Sequence, residues 1–255
     1  LILFILGYDG GMEKIKIGVI GAGKIAVGVH IPLLECCKDV KLAYVADVKK
    51  IPKGMIPKQI PTIMLNEDEQ SLPDADIVLL AIPLGAREKY IKEYGRRKIA
   101  IMTEKPFAPN IEIHRRYLQW SEKIACNYMR TYFSSVRQVQ GLLMSGWLGD
   151  IKKIEITEGG IVGRTDKDSE HYQTKKELSG GGILMEWGCH TLSQLTEIMK
   201  GYSLTVKDAS ITYANDLDVE VNTIIKAQNK KQSIPINYKI SLITPLATKS
   251  RYIGE

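Results

Sequence analysis

Ile15-Lys16-Ile17-Gly18-Val19-Ile20 runs directly into Gly21-Ala22-Gly23-Lys24-Ile25-Ala26. The first segment is a short, almost continuous apolar run, the pattern of a strand covered on both faces in a parallel sheet. The second places small residues where a chain leaving such a strand must turn. Gly21 permits the tight turn, and Gly23 removes the side chain that would hold a phosphate away from the backbone. Ala26 is small enough for the next helix to pack on the strand. The backbone of Lys24 and Ile25 then opens that helix, presenting free N–H groups and a partial positive charge to an anion. Asp47 closes the following strand pattern, residues 42–46, where a carboxylate accepts bonds from both hydroxyls of a ribose. Strand, turn, helix and acid in this order predict a dinucleotide site. Asp47 repels a 2′-phosphate and so favours NAD, while Lys49 and Lys50 offset part of that repulsion and leave NADP open.

Working outward, further apolar runs at 77–82, 99–103 and 124–128 alternate with helix-length segments, including Glu88–Arg96 and 111–123. Strand-helix alternation implies right-handed crossovers and a doubly wound parallel sheet, a Rossmann domain over residues 12–130. The second half has another rhythm. Val219, Val221, Thr223, Ile225 and Ala227 alternate with Glu220, Asn222, Ile224 and Lys226, and Ile234 to Leu242 alternate likewise. Period-two patterning marks strands with one buried face, so residues 131–255 are expected to form an α+β domain with a mostly antiparallel sheet.

Composition sets the outer bounds. A chain of 255 residues, 44% hydrophobic and 25% charged, is ordinary for a globular protein. Its longest apolar runs, 1–6 and 77–82, fall far short of the roughly 18 residues that a membrane span requires. The net charge of +6 comes from scattered lysines and arginines, the pattern of a solvated surface, so no nucleic-acid partner is expected. Four cysteines without CxxC spacing imply neither a disulfide framework nor a metal centre, and point to a reducing cytoplasm. Residues 1–11 read as an extension ahead of a start at Met12.

Two segments carry the reading past cofactor binding. Thr103-Glu104-Lys105-Pro106 ends a strand of the parallel sheet, the side where such sheets bind ligands, and a lysine there is placed to bond a substrate hydroxyl. Gly180-Gly181-Gly182 leads into Glu186-Trp187-Gly188-Cys189-His190. Glu186 and His190 are four apart and share a face of an α-helix, where a carboxylate orients an imidazole and raises its basicity. On spacing alone, an ordinary helical hydrogen-bonded pair is the stronger reading.

These motifs together resemble the Gfo/Idh/MocA oxidoreductases, NAD(P)-dependent dehydrogenases of sugars, inositols and sugar nucleotides. Ile82-Pro83, Asn127-Tyr128-Met129-Arg130 and Ser145-Gly146-Trp147-Leu148-Gly149-Asp150-Ile151 match as well. The resemblance implies a lysine, Lys105, near nicotinamide and substrate, a general base, His190, and a carboxylate, Glu186, where an aspartate is usual. It also implies cofactor contacts at Ile82, Pro83 and Glu104, substrate or nicotinamide contacts at Asn127 and Arg130, and a homo-oligomer formed through the second sheet. Arg87 stands where the family often has histidine, and the chain stops at Glu255 where complete members continue with further strands. His30 and His114 read as structural or solvated; His171, in the variable stretch 163–182, is a candidate substrate contact. The expectation is hydride transfer between a nicotinamide cofactor and a secondary alcohol. The rival is a non-catalytic sugar or nucleotide sensor with the same fold.

Overall fold

The computed structural model describes residues 13–65, 72–161 and 172–255, so the expected 1–11 extension and His171 lie outside the described residues. The chain divides after Asn127 into two compact units.

The first unit holds strands β1 (Ile15–Ile20), β2 (Val40–Asp47), β3 (Thr62–Met64), β4 (Ile77–Leu80), β5 (Ala100–Thr103) and β6 (Ile124–Cys126). They form one sheet in the order β3-β2-β1-β4-β5-β6, and every pairing is parallel. Burial explains the strand sequences: all of β4 and β5 is buried, as a sheet covered on both faces demands. The connections carry α1 (Ile31–Cys36), entered through a π-helical turn at Ala26–His30, then α2 (Glu88–Arg96) and α3 (Ile111–Trp120). Ile17, Val19, Val45, Ile77 and Leu79 pack with Ala26, Ile31 and Leu34 of the first helical segment.

Register decides where a site can form. Ile20 pairs with Ala46 on one side and Leu80 on the other, Leu80 with Thr103, and Thr103 with Cys126. The residues just past these positions therefore emerge along one edge of the sheet, with the strand order reversing between β1 and β4. The expected strand 77–82 stops at Leu80 because Pro83 lacks the N–H a ladder needs, and the chain turns into a short 3₁₀ segment at Leu84–Ala86. β3 was not expected; three residues are too few to show a period.

The second unit contains α4 (Ser134–Met144), β7 (Lys153–Gly159), α5 (Lys176–Ser179), α6 (Cys189–Ile198), β8 (Ser203–Ala214), β9 (Leu217–Gln228), β10 (Ser233–Ser241) and β11 (Lys249–Ile253). Its sheet runs β11-β7-β10-β9-β8, antiparallel except for the β7–β10 pair. One face, built from Ile154, Ile156, Val221, Ile225, Ile236 and Ile240, packs on Ile183, Leu195 and Met199. β8 and β9 meet in a tight turn at Asn215 and Asp216, both with positive φ (48° and 62°), a conformation these two residue types tolerate. β8 is almost wholly exposed, which is why its sequence shows so little alternation. Among the described residues, no helix is long and apolar enough to cross a membrane.

Candidate active site

The glycine turn is built as the sequence requires. Gly21 has φ +100°, and a Cβ there would lie 2.4 Å from the Ala81 carbonyl oxygen, so only glycine fits. Its N–H donates to the Ala46 carbonyl at 2.7 Å. Gly23 is the opposite case: a Cβ on it would find no atom within 4 Å, leaving open space in front of the backbone. Lys24 and Ile25 are exposed at the helix start, and Ala26 is fully buried against the sheet. Asp47 braces the turn, its Oδ2 accepting the Ala22 N–H at 2.7 Å and its Oδ1 the Lys49 N–H at 2.8 Å. Each carboxylate oxygen retains a second acceptor position, enough for the hydroxyls of a ribose. The open cradle, positive helix start and acceptor pair fit the pyrophosphate and ribose of a dinucleotide.

Beyond β5, the lysine motif is embedded in a polar network. Glu104 is only 8% exposed. Its Oε1 meets His30 Nε2 at 2.7 Å and accepts from Asn127 Nδ2 at 2.8 Å, while Oε2 accepts the Lys105 N–H at 3.2 Å. Burial alone would raise the Glu104 pKa; the bonds from His30 and Asn127, the His30 charge and the Lys105 N–H outweigh it and hold the carboxyl below its usual value. Two residues expected to face ligand, Glu104 and Asn127, therefore bond each other. Lys105 is half-buried, as are Ile82 and Pro83. Arg87 is 2% exposed and donates to main-chain carbonyls of both loops: Ile82 at 3.1 Å, Lys105 at 3.3 Å, and Glu104 and Pro106.

In the second unit, Asp218 organises the glycine triplet. Its Oδ1 accepts the Gly182 N–H at 2.6 Å and its Oδ2 the Leu184 N–H at 2.8 Å, satisfying the donors that open the next helix. That helix begins with a π-helical turn at Leu184–Gly188 before α6. The four-residue step from Glu186 to His190 thus crosses the junction of two helix types, and the shared face expected of a regular α-helix does not follow from it. Glu186 accepts a bond from Gln173 Nε2, and His190 is half-buried in the first turn of α6. Arg130, an expected substrate contact, pairs with Glu158 at 2.8 Å, and Glu158 is 3% exposed. Nearby, Tyr238 shares a 2.9 Å hydrogen bond with Thr191; burial pushes its hydroxyl well above the usual phenol pKa, against the opposing effect of that bond.

Sequence reasoning missed Glu158, Tyr238 and Asp218; His30, read as structural or solvated, is buried as a structural partner of Glu104, a pairing the sequence did not announce. Glu158 left a signal, since it occupies the buried-face phase of the Ile154–Ile156 alternation, where a carboxylate demands a partner. His30 left none, because its partner lies 74 residues away. The four cysteines form no disulfide, and among the described residues no group of three or more His, Cys, Asp or Glu could hold a metal ion.

A family model described as "Oxidoreductase family, NAD-binding Rossmann fold" matches residues 15–132, and one described as "GFO/IDH/MocA C-terminal domain" matches 136–233. The rhizopine catabolism protein MocA of Rhizobium meliloti is 22% identical over 189 residues, covering 72% of this chain and 57% of the relative. The D-glucoside 3-dehydrogenase of Escherichia coli K12 is 24% identical over 187 residues, covering 71% and 52%. The chain thus spans just over half the length of these curated relatives. The crystal structure of aldose-aldose oxidoreductase from Caulobacter crescentus, complexed with glycerol, superposes with a TM-score of 0.79 at 18% identity, covering 95% of this chain and 75% of that one.

Proposed function

Because the chain belongs to the Gfo/Idh/MocA oxidoreductase family, we propose that it catalyses hydride transfer between a nicotinamide cofactor and a secondary alcohol of a sugar, inositol or sugar nucleotide. The observation that carries this reading is the alignment of Gly21, Asp47, Ile82 and the Glu104-Lys105-Pro106 segment past one edge of the parallel sheet. Such an edge, at the reversal of strand order, is where α/β sheets hold ligands.

Gly21, Gly23, Lys24, Ile25 and Ala26 hold the pyrophosphate, and Asp47 accepts from the ribose hydroxyls, a preference for NAD that Lys49 and Lys50 moderate. When bound, the nicotinamide ring supplies the hydride acceptor or donor. Lys105, its main chain fixed through Glu104 and Arg87, bonds the substrate oxygen; His190 takes the hydroxyl proton, and Glu186, four residues before it in the chain, is the carboxylate assigned to the same site. Arg130, held by Glu158, and His171 are assigned to substrate recognition. The second sheet is assigned to homo-oligomer formation, as the resemblance implies; Tyr213 of β8 and Ile224 of β9 are 60% and 43% exposed on it. Cysteines that form no disulfide suit a reducing cytoplasm.

Lys105→Ala tests the assignment. Turnover is expected to fall by about a hundredfold or more, the usual contribution of a group that assists proton transfer, while the NADH dissociation constant measured by fluorescence stays close to that of the parent. Unchanged turnover would refute the role given to Lys105.

A further inference from the structure

We propose that Arg87 is a positioning residue that locks together the two loops supporting the nicotinamide half of the dinucleotide, independently of the cradle for the other half. The proposal rests on the dinucleotide reading above and deepens it. Arg87 opens α2, yet its side chain is turned inward and buried to 2% exposure. Nε donates to the Ile82 carbonyl at 3.1 Å, in the loop leaving β4. Nη1 donates to the Glu104 and Pro106 carbonyls and Nη2 to that of Lys105 at 3.3 Å, in the loop leaving β5. One planar group therefore joins the exits of two neighbouring parallel strands. A guanidinium can do this because its donors diverge in a fixed plane; an ammonium on a single stem cannot serve four acceptors in two loops.

The division between ligand halves follows from the sheet. The β1 turn takes the pyrophosphate and the acid ending β2 takes the adenosine ribose, so the rest of a dinucleotide must extend past the strand-order reversal, toward the exits of β4 and β5. The adenosine side has its own supports, Gly21 N–H on Ala46 and Ala22 N–H on Asp47, in which Arg87 takes no part. Loss of the guanidinium strips a donor from each of the four carbonyls, all of which lie on the β4 and β5 exits.

The test is calorimetric titration of the parent protein, Arg87→Ala and Arg87→Lys with NADH and, separately, with ADP, which carries the pyrophosphate and adenosine but no nicotinamide. We expect Arg87→Ala to weaken NADH binding by about tenfold or more, the scale of one or two lost hydrogen bonds, while ADP affinity stays within about twofold. Arg87→Lys falls between, with NADH still affected more than ADP. Circular dichroism establishes that each variant is folded; should the alanine variant fail to fold, the lysine variant must show the same selective loss. Equal losses for both ligands mean a general structural role and overturn the proposal, as does no loss for either. A parent protein that binds neither ligand brings down the dinucleotide reading itself, a result distinct from failure of the Arg87 assignment alone.

Discussion

Gly21 and Gly23 stand two apart in one turn and are expected to respond oppositely to the same substitution. At Gly21 an alanine meets both a φ of +100° and the Ala81 carbonyl 2.4 Å away, so Gly21→Ala should cost about 2 kcal/mol or more, read as a fall in Tm. At Gly23 the added methyl enters open space. Gly23→Ala should keep its Tm and lose NADH affinity by about tenfold, because the methyl occupies the approach of the phosphates. Glu104 offers a pH test. Its folded pKa is depressed, so its contribution to stability is present above the unfolded value of about 4.3 and is lost as pH falls through the lower folded value. Glu104→Gln should therefore be less stable than the parent near neutrality, and its thermal stability should fall less steeply below about pH 5, as followed by circular dichroism. Residues of this kind divide sharply in legibility. The glycines and Asp47 announce themselves because turn chemistry is local. Arg87 and His30 do not, because their partners are set by strand register, at separations of 17 and 74 residues for the Glu104 contacts.

Elements were legible in proportion to how strongly they are buried on one side. β9 and β10, with one face packed and one exposed, end within a residue or two of the alternation that predicted them. β1 was readable as a buried run, whereas β3 and the exposed β8 gave weak or no signals. Helix ends followed local chemistry: α3 starts where Asn110 Oδ1 accepts the Ile113 N–H at 2.9 Å. Asn110→Ala should lower stability by about 1 kcal/mol, the usual cost of losing such a cap, measured by urea denaturation. The π-helical turns at Ala26–His30 and Leu184–Gly188 were invisible to a reading based on 3.6-residue spacing. The second of them separates Glu186 from the regular α-helix that carries His190. Both turns fall in segments assigned to ligand chemistry, where such irregularities often occur.

At the scale of the whole molecule, the fold class was readable because two rhythms, continuous apolar runs and strict alternation, divide the chain near its middle. Substrate identity was not, since the stretch expected to set it, 163–182, shows no period in its sequence. The oligomer role proposed for the second sheet has a direct test: Ile224→Lys, at an exposed position of β9, should shift the species seen by analytical ultracentrifugation toward monomer, whereas an unchanged distribution would remove that sheet from the interface. The most direct measurement of the central claim is absorbance at the nicotinamide band when the protein and NAD or NADP are mixed with a panel of sugars, inositols and sugar nucleotides. At least one of these alcohols is expected to produce reduced cofactor, and Lys105→Ala and His190→Ala to abolish the signal. Tight NADH binding with no alcohol-dependent absorbance change across the panel would contradict that claim and leave a sensor in place of a dehydrogenase.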